Sequence, residues 1–163
     1  MATIRKRGTS QYQARICIKG YPVAYRTFST KSEAVKWSAD RERLLVQGLG
    51  KAQEMADRLT LSDALSRYLK EVTPSKKSHS QEEGRIRHWQ NHPYASLSLS
   101  QLRGTDLAVY RDSRIKDGIS GNTIRLEFAL LSHLYEVAKK DWGLETLVNP
   151  VMSVRKPKVA KGR

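Results

Sequence analysis

Residues 122–142, NTIRLEFALLSHLYEVAKKDW, decide how the rest of the chain is read. In them Ile124, Phe128, Leu131, Tyr135, Ala138 and Trp142 recur at alternating steps of four and three, which lines them up on one stripe of an α-helix. So apolar a stripe has to be buried, so the helix needs partners. Working back along the chain, Thr105–Lys116 predicts a helix with Leu107, Tyr110 and Ile115 on one side and Gly118 just past its end. Another is expected over Ser78–Asn91, turning Ile86 and Trp89 inward and stopping before Pro93. Before it, Thr60 with Asp63 caps a helix whose apolar face is Leu61, Ala64, Leu65, Tyr68, Leu69 and Val72, ended by Pro74. Four helices with short connections predict an all-α domain over 59–152, closed by Asn149-Pro150 and followed by a basic segment, 153–163.

The chain begins differently. Residues 2–7 and 11–19 are short extended runs, and the second alternates Ala14, Ile16 and Ile18 against Gln13, Arg15, Cys17 and Lys19. Lys19-Gly20 supplies a turn, Tyr21–Phe28 a third strand, and Thr30-x-x-Glu33 a capping box that opens a helix to about Gly48. The expected order over 1–48 is β-β-β-α, with Ala34, Trp37, Leu44 and Leu45 packed on the sheet; that spacing favours Trp37 as core over a base-stacking platform. Residues 49–58 (LGKAQEMADR) lose clear periodicity and begin among glycines, which reads as a linker. The fold class is therefore α+β followed by all-α.

Thirty Lys and Arg against 16 Asp and Glu give a net charge of +14, which suits a polyanionic partner better than a small neutral ligand. The ends sharpen this: residues 1–30 contain six Lys/Arg and no acid, and residues 151–163 five and no acid. A wholly disordered basic protein would lack the apolar content of 39%, so folded domains with basic ends are expected. A single cysteine, Cys17, excludes an internal disulfide and a Cys-pair zinc site, and fits a reducing cytoplasm. As the chain stands, no signal peptide or transmembrane run is visible, and no membrane association is expected. His79, His88, His92 and His133 show no metal-ligand pairing, Gly118-Ile-Ser-Gly121 is short of a phosphate loop, and there is no nucleophile elbow, so neither a cofactor nor catalysis is expected.

Residues 120–138, SGNTIRLEFALLSHLYEVA, followed by Asp141-Trp142-Gly143, Asn149-Pro150 and Val154-Arg155-Lys156-Pro157-Lys158, resemble the core-binding domain of phage-integrase-family tyrosine recombinases, especially the shufflon-recombinase branch. Tyr12-x-Ala14-Arg15, with Tyr12 where Trp is more usual, and Thr27-Phe28-x-Thr30-Lys31-x-Glu33-Ala34-x-x-Trp37 resemble the arm-type DNA-binding domain that begins many such integrases. The resemblance implies a SAM-like helical domain, double-stranded recombination-site DNA as partner together with other recombinase protomers, and a bacterial, phage or mobile-element protein associated with the nucleoid. It further implies an Arg, a Lys, a His-x-x-Arg, a further His or Trp and a tyrosine nucleophile in a domain downstream of Arg155-Lys156-Pro157. No histidine here is followed by Arg at the third position, so no tyrosine of this chain is assigned as nucleophile and the chain itself is not expected to be an enzyme.

For DNA, alternation nominates the polar face of the sheet, Arg5, Arg7, Gln13, Arg15, Lys19 and Tyr25, with Arg suited to guanine edges and Lys or Tyr to phosphates. In the helical domain the exposed first turns are nominated: Lys76, Lys77, Ser78, His79 and Arg85 around the second helix, and Asn122, Thr123 and Arg125 at the start of the fourth. Ser120 and Thr123 read equally as caps. Arg155, Lys156 and Lys158, with Lys161 and Arg163 beyond them, are expected to follow the DNA backbone or to lead toward the catalytic domain. Two other readings stay open: a stand-alone DNA-binding regulator or truncated competitor, which the reading frame past Arg163 would separate, and an RNA-binding protein, for which no aromatic stacking motif is visible.

Overall fold

A computed structural model describes residues 2–18 and 21–158. The chain divides into two compact units, Met1–Lys51 and Ala52–Arg163.

In the first unit β1 (Ala2–Arg7), β2 (Gln11–Ile16) and β3 (Ala24–Phe28) form an antiparallel sheet in the order β1-β2-β3. Pairing sets Thr3 opposite Arg15 and Arg15 opposite Tyr25, and aligns Arg5, Gln13 and Thr27 in the next odd-numbered row. Because successive side chains alternate, this register puts all the odd-numbered residues on one face. On the other face Ala14 and Ile16 are buried beneath α1 (Lys31–Val46), whose Ala34, Ser38 and Leu45 are buried too. The expected capping box is present: Glu33 N–H donates to Thr30 Oγ1 at 3.2 Å and Thr30 N–H to Glu33 Oε2 at 3.3 Å. Gly48, at φ +74°, ends α1 in a left-handed turn that any other residue would strain, and Leu49 N–H reaches back to the Leu44 carbonyl at 2.8 Å. Trp37 is half-buried with its ring 5.6 Å from that of Phe28, as core packing requires. The second and third strands are shorter than the sequence suggests, and Lys19 lies outside the described residues.

Residues 49–58 correct the sequence reading, because Gly50–Arg58 form a helix, α2. Its buried apolar side chains are only Ala52 and Ala56, one turn apart, too small a signal to stand out as a period. The second unit takes residues 52–58 with it, so its α-helices number five rather than four: α2, α3 (Leu61–Glu71), α4 (His79–Gln90), α5 (Gly104–Lys116) and α6 (Gly121–Asp141). One core contains Leu61, Leu65 and Tyr68 of α3, Ile86 and Trp89 of α4, Leu107 and Tyr110 of α5, and all six residues of the α6 stripe. Ile115 departs from expectation at 50% exposed. Five residues beyond Tyr110, it sits roughly 140° around the helix from it.

Candidate nucleic-acid interface

The odd-numbered face of the sheet forms a shallow groove of about 130 Å³ lined by Thr3, Arg5, Arg7, Gln13, Arg15 and Tyr25. Five of the six sheet residues nominated from sequence therefore share one surface; the sixth, Lys19, is not among those described. The Arg15 guanidinium carbon lies 5.8 Å from the centre of the Tyr25 ring, and Tyr25 is 58% exposed. Among the described residues no carboxylate pairs with Arg5, Arg7 or Arg15, so their charge is not neutralised within the unit.

The helical nominees divide into two groups. Lys77, Ser78 and His79 are exposed at the start of α4, where Ser78 occupies the N-cap position without a side-chain capping bond. Lys76 is different, since its ammonium donates to Tyr68 Oη and to Glu82 Oε1, both at 2.6 Å. Glu82 is buried and also accepts from Thr73 Oγ1 at 2.9 Å. Burial pulls the Lys76 ammonium down, and its bonds to Glu82 and Tyr68 more than offset this, holding it above the ordinary lysine value. Tyr68 Oη also meets His133 Nδ1 at 2.5 Å. Burial and the nearby charge of Lys76 hold His133 below the usual histidine value, against the opposing pull of Glu82. Arg85 is half-buried and lines the same depression as Lys76 and His133. His133 was not singled out from sequence, because it lies 57 positions after Lys76 and neither carries a mark of the other.

At the start of α6, Ser120 serves as the cap, accepting from Thr123 N–H at 3.1 Å, and the two hydroxyls lie 2.9 Å apart. Asn122 and Arg125 are exposed. Arg125 also donates from Nη1 to the Pro157 carbonyl at 3.5 Å, and Arg111 Nη1 to the Arg155 carbonyl at 2.9 Å. The segment carrying Arg155, Lys156 and Lys158 is thus laid against α5 and α6, with Pro157 buried and the three basic side chains exposed. Gly121 permits this approach, since a Cβ there would collide with the Lys158 carbonyl.

A second polar cluster lies inside the unit. Glu127, 3% exposed, accepts from Tyr110 Oη at 2.8 Å and from Arg114 Nη2 at 2.5 Å. His88 Nε2 lies 2.7 Å from the same tyrosine oxygen, and Tyr110 stacks on Trp89 at 4.3 Å between ring centres. Burial, then the Glu127 carboxylate, raises the Tyr110 hydroxyl far above an ordinary tyrosine, so it stays a proton donor. These groups satisfy one another in the interior, and their arrangement is that of a structural clasp between α5 and α6. Among the described residues no cluster of His, Cys, Asp or Glu could hold a metal ion, and no helix is long and apolar enough to cross a membrane.

Comparison with known proteins gives three relatives. A shufflon-specific DNA recombinase of Escherichia coli is 42% identical over 113 residues, covering 65% of this chain and 29% of its own length. Two putative integrase/recombinases of Haemophilus influenzae are similar, one 32% identical across 100% of this chain and 42% of its own length, the other 24% identical over 79% and 41%. The chain therefore spans less than half the length of these relatives. No protein-family model matches it, and no solved structure does. The likeness across the full chain, together with the motifs at its two ends, makes this sequence a relative of the tyrosine recombinase and integrase family over part of its members' length.

Proposed function

We propose that these residues bind double-stranded recombination-site DNA within a tyrosine site-specific recombinase, acting in integration, excision or inversion alongside other protomers. The observation that carries this is the sheet face: six polar or basic side chains aligned by register over one groove, with no acid among them. A strand face of that kind fits a major groove, where Arg5, Arg7 and Arg15 reach base edges or phosphates and Tyr25 braces Arg15. The helical unit adds Lys77, Ser78 and His79 at the start of α4, Asn122 and Arg125 at the start of α6, and the exposed cations of the tail, where helix N-termini favour phosphate. On this reading residues 1–48 and 59–152 are two DNA-binding domains joined through α2, and 153–163 leads toward a catalytic domain. The relatives' names as recombinases support DNA as the partner.

The test is affinity for duplex DNA, single-stranded DNA and duplex RNA over a salt series. Six to ten phosphate contacts should lower duplex-DNA affinity by roughly 10³ to 10⁵ between 50 and 200 mM salt. Equal affinity for duplex RNA, or no salt dependence, would overturn the proposal.

A further inference from the structure

Between α4 and α6 lies a depression of about 170 Å³, with Lys76, Glu82, Arg85 and His133 around it and Leu126 and Leu130 among its apolar lining. We propose that this depression seats one phosphate of the DNA backbone, with His133 as a hydrogen-bond donor beside the cations Lys76 and Arg85. The inference rests on the duplex-DNA reading above and adds to it a residue and a defined seat.

The proton arrangement makes the case. An ammonium carries three N–H donors and no acceptor. Two of those of Lys76 go to Tyr68 Oη and Glu82 Oε1, leaving the third for the depression that Lys76 lines. Since Lys76 can only donate, the Tyr68 oxygen accepts from it, and the tyrosine proton is left for His133 Nδ1 at 2.5 Å. That assigns His133 to the tautomer with its proton on Nε2, on the side of the ring away from Tyr68. Tyr68 is fully buried, so the chain of bonds holds an exposed imidazole from an interior anchor.

Charge and size agree. Two cations against one carboxylate leave a single positive charge around the depression, matching the single negative charge of a phosphodiester. Glu82 does not repel the visitor as a lone carboxylate would, because its two oxygens are held by Thr73 and Lys76. The volume equals roughly five or six waters of liquid, room for a phosphate group and too little for a whole nucleotide. Apolar side chains beside it lower the local polarity and strengthen each bond made there. Partial covering of the ring and the charge of Lys76 hold His133 below the ordinary histidine value in the DNA-free chain, which favours the neutral ring at pH 7.5.

Neutrality gives the test its discrimination. On a 30-base-pair duplex at pH 7.5, full-length His133→Ala should bind roughly ten-fold more weakly, as for loss of a hydrogen bond to a charged group. Its salt dependence should match that of the parent, because a neutral imidazole releases no counterion. Arg85→Ala should instead flatten the salt slope by about one unit, and His133→Gln, which keeps a neutral N–H donor, should recover most of the affinity. In the unsubstituted protein the His133 Nε2 nitrogen resonance should shift on adding duplex, a readout that needs no variant. Unchanged affinity of His133→Ala, a slope altered as if a charge were lost, or an unmoved Nε2 resonance would each overturn the seat while leaving DNA binding intact. Failure of the parent chain to bind duplex would overturn the DNA reading itself.

Discussion

On the exposed face of the sheet, Arg5, Arg7 and Arg15 stand without a carboxylate beside them, whereas inside the helical unit Arg114 is clamped on Glu127. The two regions carry the same residue types and use them differently. A cation held by a buried acid contributes mainly geometry, because its charge is already answered. One on an acid-free face contributes field, and can take a phosphate without first surrendering a partner. The contrast extends to the interior. The sheet unit buries small or medium side chains, Ala14, Ile16, Ala34, Ser38 and Leu45, while the helical unit buries Trp89, Tyr68, Tyr135 and Phe128 in one cluster.

The largest effect should come from breaking a buried pair. Glu127→Ala leaves Arg114, whose side chain is only 20% exposed, without its acid and strips Tyr110 of its acceptor. We expect the helical unit to lose about 3–5 kcal/mol in urea unfolding. A loss within the roughly 0.5 kcal/mol typical of surface changes would mean that this clasp is not structural. Arg15→Ala should invert the pattern: stability within about 0.5 kcal/mol of the parent, but a loss of about 1–3 kcal/mol in binding to a preferred site, less on random duplex. Destabilisation by Arg15→Ala without any change in DNA affinity would collapse the distinction between the two kinds of cation.

A smaller effect tests how much the sheet unit depends on its helix. Thr30→Ala removes the acceptor for Glu33 N–H and should destabilise that unit by about 1 kcal/mol, measured by amide exchange in β2. No change would show that α1 is held by packing alone.

Which of these features the sequence revealed follows from how local they are. The α6 stripe was legible because Ile124 to Trp142 repeat within one element, and all six are buried. The sheet face was legible for the same reason, since alternation alone sorts Gln13 and Arg15 from Ala14 and Ile16. Helix α2 was missed because a glycine opens it and alanines are its only buried apolar side chains. Its i,i+4 partners, Gln53 with Asp57 and Glu54 with Arg58, were the signal available. Glu127–Arg114 and Lys76–Tyr68–His133 were illegible in principle, because they join residues of different segments whose meeting depends on packing, and no spacing encodes it.

The last prediction uses the histidines, all four of which lie in the helical unit, at positions 79, 88, 92 and 133. His92 and His133 are both held below the ordinary value in the folded chain, His92 by burial and then by the charges of His88 and Arg114. In the unfolded chain each returns to about 6.5. A base whose folded value is depressed binds protons more readily when unfolded, so stability rises with pH wherever that difference holds. Its contribution is fully present above about pH 6.5 and is lost as the pH falls through the lower folded value. The carboxylates held low, Glu71 by Arg67 and Asp112 by Arg111, are lost only on further acidification and do not contribute in this window. Lowering the pH from 7.5 to 5.5 should therefore bring the urea midpoint of the helical unit down modestly while that of the sheet unit, which contains no histidine, stays level. The two can be followed separately through amide signals of α6 and of β2. A parallel fall in both units would show that global charge repulsion at net +14 governs the acid response, and an upward move in the helical unit would show that His92 and His133 gain protons on folding instead of shedding them.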